Sequence, residues 1–268
     1  MIDRITSREN PNVKDVIKIV KDKKYRDKYE SFIVEGIRLC NEVIENNIGV
    51  KKVFYTQRAY EKFEDEIDKL INMSSEKSYC VSEEIMSYMS DTNTPQGIIC
   101  VCKCIDKFHK IDKIEKYRNI IALENIQNPS NLGTILRTCD AMGADAVVIT
   151  EETCDVYNPK VVRGSMGSIF HLPIIIMKKS EDALKILNEH GFSTYAMVLD
   201  KSASLICDIN ASDNKKALFI GNEGNGLLTS TIENCSGKIT IPMKGKSESL
   251  NAAVAASIAI WEITGRGT

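Results

Sequence analysis

Six short apolar runs in the second half of the chain most restrict the fold that it can adopt. They are Ile120–Leu123, Ala146–Ile149, Ile174–Met177, Tyr195–Leu199, Ala217–Ile220 and Lys238–Ile241. Helical segments separate several of them, and runs of this kind are typical of strands that are buried on both faces. The pattern predicts an α/β fold in which helices cover both sides of a parallel sheet.

The first 105 residues follow a different pattern, which predicts a separate small domain. A helix is expected to start at Asn10-Pro11, and short strands alternate with helices from there to Cys104. Residues 106–116 are charged and lack a strand pattern, so they are interpreted as a linker. A chain of 268 residues is long enough for two domains. We therefore assign 1–105 to an α/β/α domain and 117–268 to the parallel-sheet domain.

Composition argues against several classes of protein. The chain has no apolar run of the roughly 18 residues that a membrane span needs, and its polar start does not resemble a signal peptide. We therefore expect a cytoplasmic protein without a membrane partner. Nine scattered cysteines favour reduced thiols. Cys100, Cys102 and Cys104 would share one face of a strand, but no histidine stands at zinc-site spacing, and we expect no metal.

A basic cluster near the N-terminus has two possible interpretations. It contains Lys14, Lys18, Lys21, Lys24 and Arg26. Charge runs of this kind are usually solvated helix faces, and the net charge of −2 gives little support for nucleic-acid binding. A local patch can nevertheless be enough to bind RNA.

Three loops of the predicted sheet carry candidate functional residues, because ligands of an open parallel sheet bind beyond the carboxyl ends of its strands. The first loop, residues 124–131, is mostly polar and comes directly after a buried strand. In the helix that follows, Arg137 stands within the first two turns, where the helix dipole does not favour a cation. Arg137 is therefore either an ordinary surface arginine or a cation aimed at a phosphate or hydroxyl.

The second loop, residues 221–226, has three glycines in six positions, which lets a backbone approach a ligand closely. Its G-x-x-G-x-G spacing is neither the dinucleotide fingerprint nor a phosphate loop. A plain tight turn would look the same.

The third loop, residues 241–251, opens a predicted helix over 252–263 that is rich in alanine. The start of that helix presents free N–H groups beside the Ser249 and Asn251 side chains. An ordinary capped helix would give the same pattern.

Taken together, the three loops resemble the motifs of the SpoU (TrmH-like) family of RNA 2′-O-ribose methyltransferases, which belongs to the SPOUT superfamily. The matching positions are Asn131, Gly133 and Arg137 in the first loop, N-E-G-x-G-L from Asn222, and I-P-M-x-G-x-x-x-S-L-N from Ile241. The N-terminal part resembles the family's ribosomal-protein-like RNA-binding domain through Asn10-Pro11 with Lys14 and through 32–36. One departure is the alanine-rich stretch 252–256, where relatives often have a serine, so no role of that serine is carried over.

The resemblance implies a deep trefoil knot, which general folding rules would not suggest, with S-adenosylmethionine bound against it. It implies that Gly221, Ile241, Met243 and Leu250 contact this cofactor. It also implies a homodimer formed through the knotted region, in which the helix with Trp261 is a candidate interface. Residues 1–105 would bind RNA, and the phosphate contacts would be Lys14, Lys18, Lys21, Lys24 and Arg26.

For catalysis, the resemblance points to Arg137, with Asn131, Glu223, Ser249 and Asn251 around it. A ribose 2′-hydroxyl is a poor nucleophile until its proton is leaving, and a guanidinium normally stays charged. Two roles stay open for Arg137. In one, an RNA phosphate and Asn131 help it to share a proton. In the other, it stabilises the developing alkoxide while water or phosphate takes the proton.

Several alternatives remain at this point. A doubly wound nucleotide-binding protein would need a glycine-rich turn after the first strand of the sheet, but residues 125–131 contain no glycine. A non-catalytic RNA-binding protein with the SPOUT fold would be expected to lose Arg137, Glu223 or Asn251, and all three are present. Ribosomal RNA is the favoured substrate, because family members with the extra N-terminal domain often act on it. Transfer RNA is the alternative.

Overall fold

A computed structural model describes residues 4–105, 111–209, 214–246 and 248–264 of the chain. Two compact units form. One consists of the chain up to Ile105 together with Asp155–Phe170, and the other contains the rest of the chain.

The secondary structure alternates between strands and helices along most of the described chain. The strands are β1 (Arg4–Ile5), β2 (Ser31–Glu35), β3 (Val50–Thr56), β4 (Tyr79–Val81), β5 (Ile98–Lys103), β6 (Asn119–Leu123), β7 (Ala146–Thr150), β8 (Ile174–Met177), β9 (Ser193–Met197), β10 (Ser204–Leu205), β11 (Lys216–Ile220) and β12 (Gly237–Thr240). The α-helices are α1 (Pro11–Lys21), α2 (Lys23–Tyr29), α3 (Ile37–Glu45), α4 (Gln57–Lys62), α5 (Glu64–Met73), α6 (Glu83–Met89), α7 (Pro129–Ala141), α8 (Pro159–Ser165), α9 (Ser180–Glu189), α10 (Thr229–Asn234) and α11 (Ala252–Thr264). Short 3-10 helices span Ile111–Lys116, Ser168–Phe170 and Ile206–Asp208.

The first unit is built on a mixed five-stranded sheet with the order β1-β4-β3-β5-β2. Strand β4 is parallel to β1 and β3, and β5 is antiparallel to β3 and β2. Helix α1 begins where predicted, because the Asn10 side chain accepts a hydrogen bond from the Asn12 N–H and Pro11 needs no acceptor.

The helical stretch between β3 and β4 is divided in two. Helices α4 and α5 meet at Phe63, where φ is −135° and ψ is 44°. Thr56 caps the start of α4 by accepting from the Ala59 N–H. The acidic run that begins at Glu64 then suits the N-terminus of a new helix, because carboxylates stabilise that end of the helix dipole.

The segment Asp155–Phe170 packs in the first unit, although the sequence assigns it to the second domain. Helix α8 contacts β2. The Tyr157 ring stacks on Phe32 with the ring centroids 4.6 Å apart, and Phe170 lies 6.3 Å from the same ring. The first unit therefore uses apolar side chains from two separate parts of the chain.

The second unit contains a seven-stranded sheet with the order β10-β12-β9-β11-β6-β7-β8. Every strand pair in it is parallel, which confirms the predicted α/β class. Strand β9 ends at Met197, earlier than predicted, and the Leu199 side chain is exposed. Strand order does not define how the chain threads, so the trefoil knot stays a prediction.

The cysteines of β5 belong to the core of the first unit. Cys40, Cys100 and Cys102 are buried, and the Cys40 and Cys100 sulfur atoms lie 3.6 Å apart. The hydrogen bond with Cys100, together with burial, raises the pKa of the Cys40 thiol, and burial raises the pKa of Cys102. Within the described ranges, no group of histidine, cysteine or acidic side chains could hold a metal ion. No helix in those ranges is both long and apolar enough to cross a membrane.

Candidate active site

The three candidate loops lie at one edge of the parallel sheet. Loop one (124–131) follows β6 and loop two (221–226) follows the adjacent strand β11. Loop three (241–251) follows β12 and leads into α11. Because all these strands are parallel, their carboxyl ends meet at the same edge.

Side-chain hydrogen bonds join one residue from each of the three loops, namely Glu223, Asn131 and Asn251. We call these three residues the amide relay. The Glu223 carboxylate accepts from the Asn131 side-chain amide at 3.0 Å. The Asn131 side-chain oxygen accepts from the Asn251 amide at 3.2 Å. Asn251 also caps α11, since its side-chain oxygen accepts from the Ala253 N–H at 2.9 Å. Loop one is therefore hydrogen-bonded through its Asn131 side chain to both of the other loops.

Glu223 is stabilised in its ionised form. Partial burial opposes ionisation, but hydrogen bonds from the Gln127 N–H, the Asn131 amide and the Asn128 N–H outweigh it and lower the pKa of the carboxyl group. A carboxylate with a lowered pKa is a weak base. Its contacts instead fix the backbone at the end of loop one.

Loop two is a tight turn whose two ends are hydrogen-bonded to each other. Asn222 and Gly226 exchange two backbone hydrogen bonds of 3.0 Å. A Cβ atom on Gly221 would lie 2.2 Å from the Gly226 carbonyl carbon. The close approach at Gly221 is therefore to the turn's own backbone. The contact of Gly221 with a ligand, which the sequence predicts, stays a prediction.

Two cavities adjoin loop three. The first, of about 550 Å³, is lined by Ile241 and Met243 together with Leu199, Asp200, Lys201 and Leu205. The second, of about 770 Å³, is more open and contains Leu250 beside the amide relay. The structure thus divides the predicted cofactor residues between two cavities, and Gly221 lines neither of them.

The first cavity fits S-adenosylmethionine in size and in chemistry. Its volume lies within the range of small-molecule sites, which is roughly 300–1,000 Å³. If S-adenosylmethionine binds here, Leu199, Leu205 and Met243 would provide apolar walls for its adenine ring, whereas Asp200 and Lys246 would provide charge for its polar end.

A family model now connects this geometry with known proteins. The model described as the SpoU rRNA Methylase family matches residues 118–261. The chain belongs to this family. A second model, the MRM3-like substrate binding domain, matches residues 10–100.

Named relatives extend the match to nearly the whole chain. A Bacillus subtilis 23S rRNA (guanosine(2553)-2′-O)-methyltransferase is 33% identical over 262 residues, which are 98% of this chain and 99% of that protein. A Streptomyces viridochromogenes 23S rRNA (uridine(2479)-2′-O)-methyltransferase is 28% identical over 97% of this chain and 91% of its own. The crystal structure of an AdoMet-bound rRNA methyltransferase from Sinorhizobium meliloti aligns with a TM-score of 0.87 and 27% identity, covering 99% and 98% of the two chains. This SpoU protein is an S-adenosylmethionine-dependent RNA 2′-O-ribose methyltransferase.

Arg137 and Ser249 of this SpoU protein lie outside the amide relay. Arg137 is exposed on α7 and has no hydrogen bond or ion pair with any residue that the structure describes. Its neighbour Thr138 lies 3.2 Å from Ser257 of α11, hydroxyl to hydroxyl. Ser249 is exposed in loop three. Within one chain, Arg137 therefore forms no hydrogen bond with a residue of the relay.

The predicted RNA contacts of the first unit divide into two groups. Lys14, Lys18, Lys21 and Lys24 are exposed on α1 and α2. Arg26 is a wrong prediction, because its side chain is only 4% exposed and forms an ion pair of 2.7 Å with Asp155. Its partner Asp155 lies 129 positions away in the sequence. Because Arg26 is buried and paired, it is not available to an RNA phosphate.

Sequence reasoning missed two parts of the site. Glu124 is buried, and its carboxylate accepts from the Leu228 N–H and from the Thr231 hydroxyl, which ties loop one to the start of α10. The only signal was that a charged residue directly follows an apolar strand. Leu199, Asp200, Lys201 and Leu205, which line the first cavity, carried no motif.

Proposed function

We propose that this SpoU enzyme methylates a ribose 2′-hydroxyl in 23S ribosomal RNA, and that it does so in the cytoplasm. The two 23S methyltransferases described above support this substrate, since each covers more than nine-tenths of this chain. One acts on a guanosine and the other on a uridine. The target nucleotide is therefore not carried over from either relative.

The amide relay is the observation that carries the proposal. Glu223 is an ionised acceptor that orients the Asn131 amide, and Asn131 in turn orients the Asn251 amide. Amide dipoles held in this way can position a ribose without reorganising when it binds. We assign Glu223 a positioning role and place Asn131, Asn251 and Ser249 next to the reacting ribose.

The first cavity is assigned to the cofactor, which supplies the methyl group when it is bound. Ile241 and Met243 line this cavity directly, whereas Leu250 lies beside the amide relay and would separate the cofactor from the ribose. Gly221 contributes by permitting the tight turn of loop two.

Arg137 is assigned the role of a charged stabiliser. An exposed guanidinium keeps its charge, and no acidic side chain among the described residues pairs with Arg137. In this role it holds an RNA phosphate and stabilises the developing alkoxide, while water or phosphate accepts the proton.

The homodimer would complete the site through α7 and α11. On α11, the side chains of Val254, Ile258 and Trp261 recur at helical spacing, and their exposed fractions are 49%, 37% and 54%. An apolar stripe of this kind marks an interface, and a two-fold pair is the commonest way to cover one. Because α7 packs beside α11, a partner on this stripe would cover Arg137 as well. We propose that Arg137 serves the amide relay of the partner chain.

RNA binding is assigned to the first unit, and the match to a substrate-binding domain model over residues 10–100 supports this assignment. The four exposed lysines, at positions 14, 18, 21 and 24, are the proposed phosphate contacts. Such contacts give affinity without sequence information.

Mapping of 2′-O-methylation in total RNA, with and without the gene, tests the substrate. The proposal predicts that one 23S rRNA position loses its methyl group when the gene is deleted. It also predicts that purified enzyme with S-adenosylmethionine restores that methyl group on an unmodified 23S transcript. Loss of a methyl group from transfer RNA, with 23S rRNA unchanged, would contradict it.

A further inference from the structure

The first unit contains a pocket that the proposed methyl-transfer site does not use. Its volume is about 290 Å³, at the lower end of the range for small-molecule sites and suited to one part of a larger ligand. It lies where β2 ends and α3 begins, beside residues 92–96 and helix α8. The lining residues with polar side chains are Glu35, Arg38, Thr92, Thr94, Gln96 and Arg163.

Hydrogen bonds hold one wall of this pocket in place. Glu35 is buried, and its carboxylate accepts from the Asp91 N–H at 3.2 Å and from the Ser90 and Thr92 hydroxyls. The Gln96 side-chain oxygen accepts from the Ile37 N–H at 3.0 Å. A surface fixed in advance loses little conformational freedom when a ligand binds.

Arg163 has unused hydrogen-bonding capacity at this pocket. Its Nη2 donates to the Asp91 carboxylate at 2.7 Å. Its Nη1 is buried and has no hydrogen-bond partner in the part of the chain that the structure describes. A buried N–H donor without an acceptor is unfavourable, so a small movement of the Arg163 side chain that brought Nη1 to a ligand oxygen in the pocket would remove that cost. Arg38, exposed near the start of α3, adds a second guanidinium.

The chemistry of the pocket differs from that of the lysine face on α1 and α2. Lysines are point charges that suit phosphates, whereas a guanidinium can donate two parallel hydrogen bonds to a base edge or a phosphate. The carboxylates of Glu35 and Asp91 offset the two arginine charges, so the pocket is not simply a cationic patch. A concave site with fixed donors, hydroxyls and an amide suits a base that has left its stack, which is how proteins read RNA sequence.

We propose that this pocket binds one unstacked nucleotide of the RNA substrate, with Arg163 and Arg38 as the donors to its oxygens. The inference rests on the proposed function, which supplies RNA as the ligand. The pocket provides preference for the correct RNA, and the lysine face provides affinity for any RNA.

Binding of the full-length protein to two RNAs tests the assignment. One RNA is an unmodified 23S rRNA transcript and the other is an unrelated transcript of the same length. Arg163→Lys and Arg38→Ala should each weaken binding to the 23S transcript by about tenfold, with little change for the unrelated RNA. The matched control Lys18→Ala should weaken both complexes equally and reduce their dependence on salt.

Three results would overturn the proposal, provided that thermal melting shows each variant to be folded. The first is full preference for the 23S transcript in both arginine variants. The second is normal binding to the naked transcript together with reduced methylation of ribosomal particles, which would assign the pocket to a protein contact. The third is a wild-type protein with no preference for 23S rRNA, which would overturn the proposed substrate and the pocket assignment with it.

Discussion

The proposed site has two parts, the amide relay and the α7–α11 face, which consists of Arg137 on α7 and the exposed apolar side chains on α11. They differ in whether their side chains find partners within a single chain. In the relay, Glu223, Asn131 and Asn251 find their hydrogen-bond partners within a single chain. On the α7–α11 face, Arg137 has no partner among the described residues, and apolar side chains such as Trp261 are exposed. The difference supports the proposal that one chain prepares the positioning half of the site and that a second copy supplies the charged half.

The largest expected effect is on methyl transfer by Arg137→Ala. Removal of a group that stabilises developing charge lowers kcat by about 10²–10³-fold. Because Arg137 forms no hydrogen bond or ion pair with a described residue of its own chain, the fold of the chain and the affinity for S-adenosylmethionine should stay unchanged. Single-turnover methylation with saturating RNA and cofactor measures this. The exposed arginine at position 118 provides the control, since Arg118→Ala should react at the wild-type rate.

The next effect concerns assembly. Ile258→Asp places a charge in the apolar stripe of α11, and a buried unpaired charge would weaken association by several kcal/mol. In sedimentation at micromolar concentration, the variant should have a mass near that of one chain, 29.9 kDa, whereas the wild type should have twice that mass. The control Lys185→Asp, at an exposed position of α9, should remain a dimer. A wild-type mass near that of one chain would contradict the proposed homodimer.

A smaller effect, on stability, tests whether Glu223 acts in its ionised form. Since its pKa is lowered in the folded protein, its ionised form stabilises the fold at neutral pH. That contribution is lost as the pH falls through the folded pKa, below the ordinary glutamate value of about 4.3. Glu223→Gln should therefore destabilise the fold at pH 7, by less than about 1 kcal/mol because solvent screens this exposed carboxylate, and the difference from wild type should shrink as the pH falls below 4. Urea unfolding at pH 7 and below pH 4 measures it, and a constant difference would reject this role.

The sequence predicted the parallel sheet and the three functional loops, because apolar runs and motif spacing are local signals. The amide relay joins positions 92 and 120 residues apart, and no local pattern encodes such pairings. The same limit explains the error at Arg26, whose charge looked solvated although Asp155 buries it. The structure also limits what a substitution of Gly221 can test. A Gly221→Val variant would disrupt the turn itself, so it could not report on cofactor contact alone.

The most direct test of the account is subunit complementation, because its central claim is that Arg137 acts on the partner's amide relay. Arg137→Ala and Asn131→Ala are each expected to be inactive. After the two variants are unfolded together and refolded, half of the dimers are mixed, and each mixed dimer has one intact site of two. Methylation of a 23S transcript should then recover to about a quarter of the wild-type rate. A mixture that stays as inactive as the separate variants, although mixed dimers form, would place Arg137 and the relay in the same chain and contradict the claim.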